Sequence, residues 1–205
     1  MMKRSSLKVR LSMREIKFDQ FIDINWGKFY DWKTRRKNFS IDKDIKVLIV
    51  ENSETFDHKD KILSKFNNVE ILCTGKNLGY GGGNNFGIKT VKTDYILILN
   101  PDVVCGKDFF TNLSNVIKES KDFTIVGCQY LQDKIFMPAG FFDNKENEEF
   151  TKCFKNDEIN DLTKVDWVTG CSMLLNLKNF DNKKIFDENF FLYFEKFDVC
   201  KSVKT

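Results

Sequence analysis

From residue 46 onward, short unbroken apolar runs alternate with segments of helical spacing, and few folds accept that alternation. After its lysine, Lys46–Val50 is continuously apolar and rich in β-branched residues, the pattern of a strand buried on both faces. His58–Phe66 places Ile62 and Phe66 four apart, as one helix face does. Val69–Cys73 reads as a second strand, Asn84–Val91 as a helix after a glycine cluster, and Tyr95–Leu99 as a third strand stopped by Asn100-Pro101. Asp108–Glu119 is expected to be a helix with Phe109, Leu113 and Val116 on one face, and Phe123–Cys128 a fourth strand. This β-α-β-α-β-α-β order predicts the α/β class: a mostly parallel central sheet with helices on both faces. Past residue 129 the pattern is irregular. Val165–Gly170 and Ser172–Leu175 read as further strands, and Phe190–Phe194 as an aromatic run.

The 205 residues suit one large domain. Residues 1–40 stand apart as a basic N-terminal segment, with 11 Lys and Arg against 4 Asp and Glu; residues 41–205 are expected to form the domain. The basic segment also carries Trp26, Phe29, Tyr30 and Trp32, a combination that suits either a solvated extension or peripheral contact with an anionic membrane. The whole chain, at +3, lacks the broad basic surface of a nucleic-acid binder. Six cysteines without metal-knuckle or redox spacing, and a single histidine, argue against a zinc site and for buried, reduced thiols in the cytoplasm. No signal peptide is visible, and no apolar stretch is long enough to span a bilayer.

In a parallel sheet, ligands bind in the crevice outside the carboxyl ends of the strands. Three predicted strand ends carry polar residues: Glu51-Asn52-Ser53, the Asn77–Asn85 loop and Asn100-Pro101-Asp102. The second holds Gly79, Gly81, Gly82, Gly83 and Gly87 in or near it, letting backbone approach a ligand closely. If a helix starts near Asn84, its free N–H groups point into that loop and suit phosphate or sugar oxygens. On spacing alone, a ligand cradle and a plain glycine-rich turn are equally compatible. Asn100 and Asp102, two apart in extended backbone, face one side. A carboxylate there can hold a hard divalent cation on a diphosphate, although Asn-Pro-Asp is also ordinary turn chemistry. Glu195 and Asp198, three apart, share a face if Glu195 opens a helix; they suit either general-base work or a favourable interaction with the helix dipole.

Four ordered blocks resemble glycosyltransferase family 2, in its rhamnosyltransferase-like branch: NLGYGGGNNFGI (Asn77–Ile88), YILILNPDV (Tyr95–Val103), WVTGCSMLLN (Trp167–Asn176) and FDENFFLYFEKFDVC (Phe186–Cys200). The resemblance covers residues 46–200. It implies the GT-A fold and transfer of a sugar, with inversion, from a UDP- or dTDP-sugar to a glycan or lipid-linked acceptor in surface polysaccharide synthesis. It places Glu51, Asn52, Asn77, Gly79, Gly82, Asn85 and Asn100 on the donor side, Mg²⁺ or Mn²⁺ on Asp102, and Glu195 and Asp198 at the catalytic position.

The chain departs from the family pattern in three places. No strand ending in a Tyr-Asn pair is visible in residues 1–40, where Ile24-Asn25 comes nearest. Glu51 replaces an aspartate, and Lys196 replaces the aspartate expected to act as base. Two readings therefore stay open: a transferase, and a catalytically impaired nucleotide-sugar-binding or partner module. A nucleotidyltransferase would share the sheet and the metal carboxylate but does not account for the Trp167 and Phe186 blocks.

Overall fold

The computed structural model describes residues 18–23 and 45–203, apart from 102, 104, 107, 121, 133–134, 145–148, 154–161 and 163. Its main sheet has six strands. Strands β1 (Phe18–Asp23), β2 (Lys46–Glu51), β3 (Val69–Cys73) and β4 (Tyr95–Leu99) run parallel in the order β3-β2-β1-β4. Antiparallel to β4 lies a strand at Ser172–Asn176, and beyond it β5 (Ile125–Gly127) forms the edge. Between these the chain forms the β6–β7 pair (Tyr130–Gln132 with Ile135–Met137) and a small sheet of β8 (Gly140–Asn144), β9 (Glu149–Cys153) and β10 (Trp167–Val168). The strand at Ser172–Asn176 is thus β11.

The continuous apolar runs divide their residues between the two faces, because successive strand side chains alternate. Leu48, Val50, Ile96, Ile98, Met173 and Leu175 share one cluster with Ile88 of helix α2 (Gly79–Ile88) and Val199 of the last helix (Glu195–Ser202). Leu97, Leu99 and Leu174 pack on the opposite face against Leu113 and Ile117 of helix α3 (Phe109–Glu119). Val47 and Ile49 lie on that opposite face with Ile62 of helix α1 (Lys59–Leu63) packed against them. The last helix is α4. Both faces are covered, as the sequence pattern requires of a parallel sheet.

Three expectations change. A strand stands at Phe18–Asp23, inside the basic N-terminal segment, and it is central, pairing with both β2 and β4. The sheet therefore draws on residues before 41. Two aspartates and a glutamine among its six residues hide it from a search for apolar runs. Ile24 and Asn25, which follow it, lie outside the described residues. Second, helix α2 begins at Gly79 rather than near Asn84, so most of the glycine cluster is helical. Glycine is a poor helix former, by about 1 kcal/mol per residue relative to alanine, but here packing overrides propensity. A Cβ on Gly83 would stand 2.8 Å from Asn52 Nδ2, and one on Gly81 3.0 Å from Phe186 Cβ. Third, the strand expected at Val165–Gly170 is reduced to Trp167–Val168.

Cys73, Cys105, Cys128, Cys171 and Cys200 are free; of these only Cys200 is fully buried, and Cys73 is exposed. Burial pushes the Cys105 and Cys128 thiols up to about 11, which keeps both protonated and unreactive at neutral pH. Among the described residues, no helix is long and apolar enough to cross a membrane.

Candidate functional site

Parallel pairing of β2, β1 and β4 brings Glu51 and Asn100 to the same end of the sheet. Glu51 is only 5% exposed, and burial pushes its carboxyl above the ordinary carboxylate range, partly offset by a hydrogen bond from Ser53. The folded state therefore holds the Glu51 proton more tightly than the unfolded chain does. Stability is complete below the unfolded value and falls as pH rises through the folded one. Glu51→Gln should accordingly raise the thermal midpoint at pH 7 and flatten its pH dependence just above the usual carboxylate value. Thermal melts between pH 4 and 8 check this; a mutant curve parallel to wild type would remove burial as the cause.

The neighbouring asparagines behave differently from the expectation that they meet the donor. Asn52 is 1% exposed, and its side chain is consumed inside the protein. Its Nδ2 donates to the Gly79 carbonyl (2.8 Å) and to Asn77 Oδ1 (3.4 Å), while its Oδ1 accepts from Leu78 N–H (2.9 Å) and the Thr74 hydroxyl (3.2 Å). Asn77 Oδ1 also caps Gly79 N–H at 2.9 Å. Asn85, fully buried, donates to the Phe186 carbonyl (2.8 Å) and Glu188 Oε1 (3.0 Å) and accepts from the N–H groups of Ile185 and Phe186, both at 3.0 Å. A side-chain amide offers two donor hydrogens and two acceptor lone pairs. Asn85 uses all of its own, and Asn52 is held by the Gly79 carbonyl and the Leu78 N–H, so the expectation that they hold the donor gives way to a structural role. Asn52 sets the entry to α2, and Asn85 ties α2 to the segment that leads into α4. Asn77 is exposed.

Gly79 is required for two reasons. Its φ is +75°, and a Cβ there would stand 2.3 Å from the Phe191 carbonyl oxygen, which accepts from Tyr80 N–H at 3.1 Å. Gly82 is buried in α2, where a Cβ would meet Leu78 Cβ at 2.8 Å. Both glycines pack against the protein itself.

At the end of β4, Asn100 N–H donates to the Cys171 carbonyl (3.0 Å), and the preceding carbonyl, of Gly170, accepts the Tyr80 hydroxyl (2.6 Å). The β10–β11 turn, the β4 terminus and α2 are thus tied together. Asn100 is half-buried. Asp102, the expected metal ligand, lies outside the described residues. Among the described residues, no group of three or more His, Cys, Asp or Glu could hold a metal ion.

Helix α4 carries the remaining candidates. Trp167 is sandwiched between Phe141 (ring centroids 3.9 Å apart) and Phe197 (4.1 Å), and Val199 and Cys200 are buried in the core, so the helix is held rigidly. Its approach is unusual: Tyr193 and Phe194 both have positive φ, 68° and 65°. Phe191, Leu192, Tyr193 and Phe194 are all exposed. Glu195 opens the helix as expected, but it is 4% exposed and lies against α2, its Cγ 3.7 Å from where a Gly81 Cβ would be. Asp198 is half-buried one turn later. Lys196 takes the other direction, its Cδ 3.7 Å from a Cβ position on Gly170.

The family model for glycosyl transferase family 2 matches residues 34–177. The chain belongs to that family. Among curated relatives of this family 2 chain, the low-salt glycan biosynthesis hexosyltransferase Agl10 of Haloferax volcanii is 25% identical over 183 residues, covering 80% of this chain and 58% of Agl10. The rhamnosyltransferase WbbL of Escherichia coli is 29% identical over 185 residues, covering 78% of this chain and 66% of WbbL. The chain thus spans roughly three fifths of the length of these relatives. A crystal structure of S. aureus TarS 1-349 with UDP-GlcNAc superposes with a TM-score of 0.61 at 14% identity, covering 92% of this chain and 53% of that one. That likeness establishes the GT-A fold. β1 fills the central place in the sheet that the sequence pattern had left without a strand.

Proposed function

We propose that this family 2 chain binds a nucleotide-diphosphate sugar at the carboxyl ends of β2 and β4 and transfers the sugar, slowly and with inversion, to an acceptor hydroxyl of a growing glycan. The observation that carries this reading is the placement of Glu51 and Asn100 at one end of the parallel strands, flanking β1. Glu51 is the candidate partner of the nucleoside. Asp102 is the candidate ligand for Mg²⁺ or Mn²⁺. A hard cation takes oxygen ligands and needs only one or two protein carboxylates beside a diphosphate, and Asp102 is the one this reading assigns. A bound cation would neutralise charge on the leaving diphosphate. The exposed Phe191–Phe194 run, next to the catalytic position, suits an acceptor with an apolar part, such as a lipid-linked glycan.

A single displacement requires a base to take the acceptor's proton. Lys196 stands where the family pattern has an aspartate, and an ammonium cannot accept a proton. Glu195 is turned toward α2, and Asp198 is half-buried one turn on. This favours, as a second reading, a module that binds the donor with little turnover.

Titration of UDP, dTDP and GDP with and without Mn²⁺ tests the donor site. Mn²⁺ should strengthen binding of one nucleotide, and Asp102→Ala should remove that enhancement. Equal metal response in mutant and wild type would exclude Asp102 as the ligand.

A further inference from the structure

Two consecutive residues on a helix diverge by roughly 100°, and this divergence separates Glu195 from Lys196. Glu195 is buried against Gly81. The Lys196 stem instead crosses the β10–β11 turn at Gly170, beside the Tyr80 hydroxyl that the same turn binds. The next residue of that turn, Cys171, is hydrogen-bonded to Asn100 at the β4 terminus. Lys196 therefore stands at the crevice end of the sheet.

Its charge is not neutralised by its sequence neighbour. The ion pairs formed among the described residues are Lys178 with Asp94 and Lys184 with Glu188. Lys196 also sits in the first turn of α4, where the helix dipole disfavours a cation. The helix has no side-chain cap at Phe194. Lys196 stands where the resembling motif has an aspartate, which makes this end of the sheet more attractive to an anion.

We infer that Lys196 is a donor-binding residue, its ammonium contacting the diphosphate of the nucleotide sugar directly, so that donor binding persists without a divalent cation. This rests on the donor site proposed above. A charge-assisted hydrogen bond to a phosphate oxygen is stronger than a neutral one. Lys196 is only half-buried and lies outside the buried core, so its replacement leaves packing intact.

The test is calorimetric titration of UDP, dTDP and GDP, their monophosphates and free pyrophosphate in EDTA. Wild type should bind one nucleoside diphosphate. Lys196→Gln should weaken that binding by about tenfold or more while leaving the monophosphate unchanged, and Lys196→Arg should restore it. Unchanged diphosphate affinity in Lys196→Gln overturns the assignment, as does loss of all wild-type binding in EDTA when Mn²⁺ restores it. Pyrophosphate binding as tight as any nucleotide would show a general diphosphate site and overturn the donor assignment. Absence of wild-type binding with Mn²⁺ present would overturn the donor site itself, and this inference with it.

Discussion

Asn85→Ala is expected to destabilise the protein by about 3 kcal/mol or more, because each buried polar group left without a partner costs about 1–3 kcal/mol. The truncation strands the N–H groups of Ile185 and Phe186, and the Phe186 carbonyl, in a region where Phe186 is 1% exposed. It also releases Glu188, whose carboxyl is held below its usual value first by the hydrogen bond from Asn85. Asn85→Asp should recover little. Its carboxylate can accept from the two N–H groups but would face the Phe186 carbonyl and Glu188 without a proton to donate. Chemical denaturation measures the loss. A cost under about 1 kcal/mol, the size of one ordinary net hydrogen bond, would mean that the Ile185–Glu188 segment re-forms its contacts with α2 by another route. Because that segment leads into Phe190–Phe194 and α4, loss of nucleotide binding in Asn85→Ala would follow from displacement of Lys196.

Lys196→Asp is expected to raise turnover at saturating donor by roughly 10²-fold, the lower end of what a general base contributes. The ammonium at the β10–β11 turn would be replaced by a carboxylate that can take the acceptor's proton. The same change removes the proposed diphosphate contact, so the donor KM should rise while kcat rises. That opposed movement separates a chemical effect from a structural one, since misfolding would lower kcat without improving any step. Donor hydrolysis or transfer, followed with Mn²⁺ present, provides the measurement. Wild-type transfer at the mutant's rate, abolished only by Glu195→Gln, would place the base at Glu195 instead.

Each effect concerns a residue whose type is visible in the sequence but whose direction is not. NLGYGGGNNFGI marks a glycine-dense segment, and its likeness to the family motif points to the donor side. What the segment does locally depends on neighbours far away in the chain. Asn85 is saturated by residues 100 positions on, and Gly79 is shaped by the carbonyl of Phe191. Reading the glycines as a loop failed because intrinsic propensity argues against helix for such a run, whereas close packing on Asn52 and Phe186 requires it. Glu195 and Lys196 are adjacent letters in the motif, and only the structure shows that one lies buried against α2 and the other beside the β10–β11 turn.

The sequence by itself placed strands at Lys46–Val50, Val69–Cys73 and Tyr95–Leu99 and a helix at Asp108–Glu119, and it determined the α/β class. In a buried parallel sheet, continuous apolar runs and alternating periodicity are local consequences of burial on both faces. It also determined the family, through four motifs in order. Only the tertiary structure decided that Phe18–Asp23 is the central strand, since its six residues carry no apolar run and its place is set by pairing with β2 and β4. It likewise decided that Asn52 and Asn85 hold the protein together, because satisfying a buried amide depends on which backbone groups surround it, and those come from distant parts of the chain.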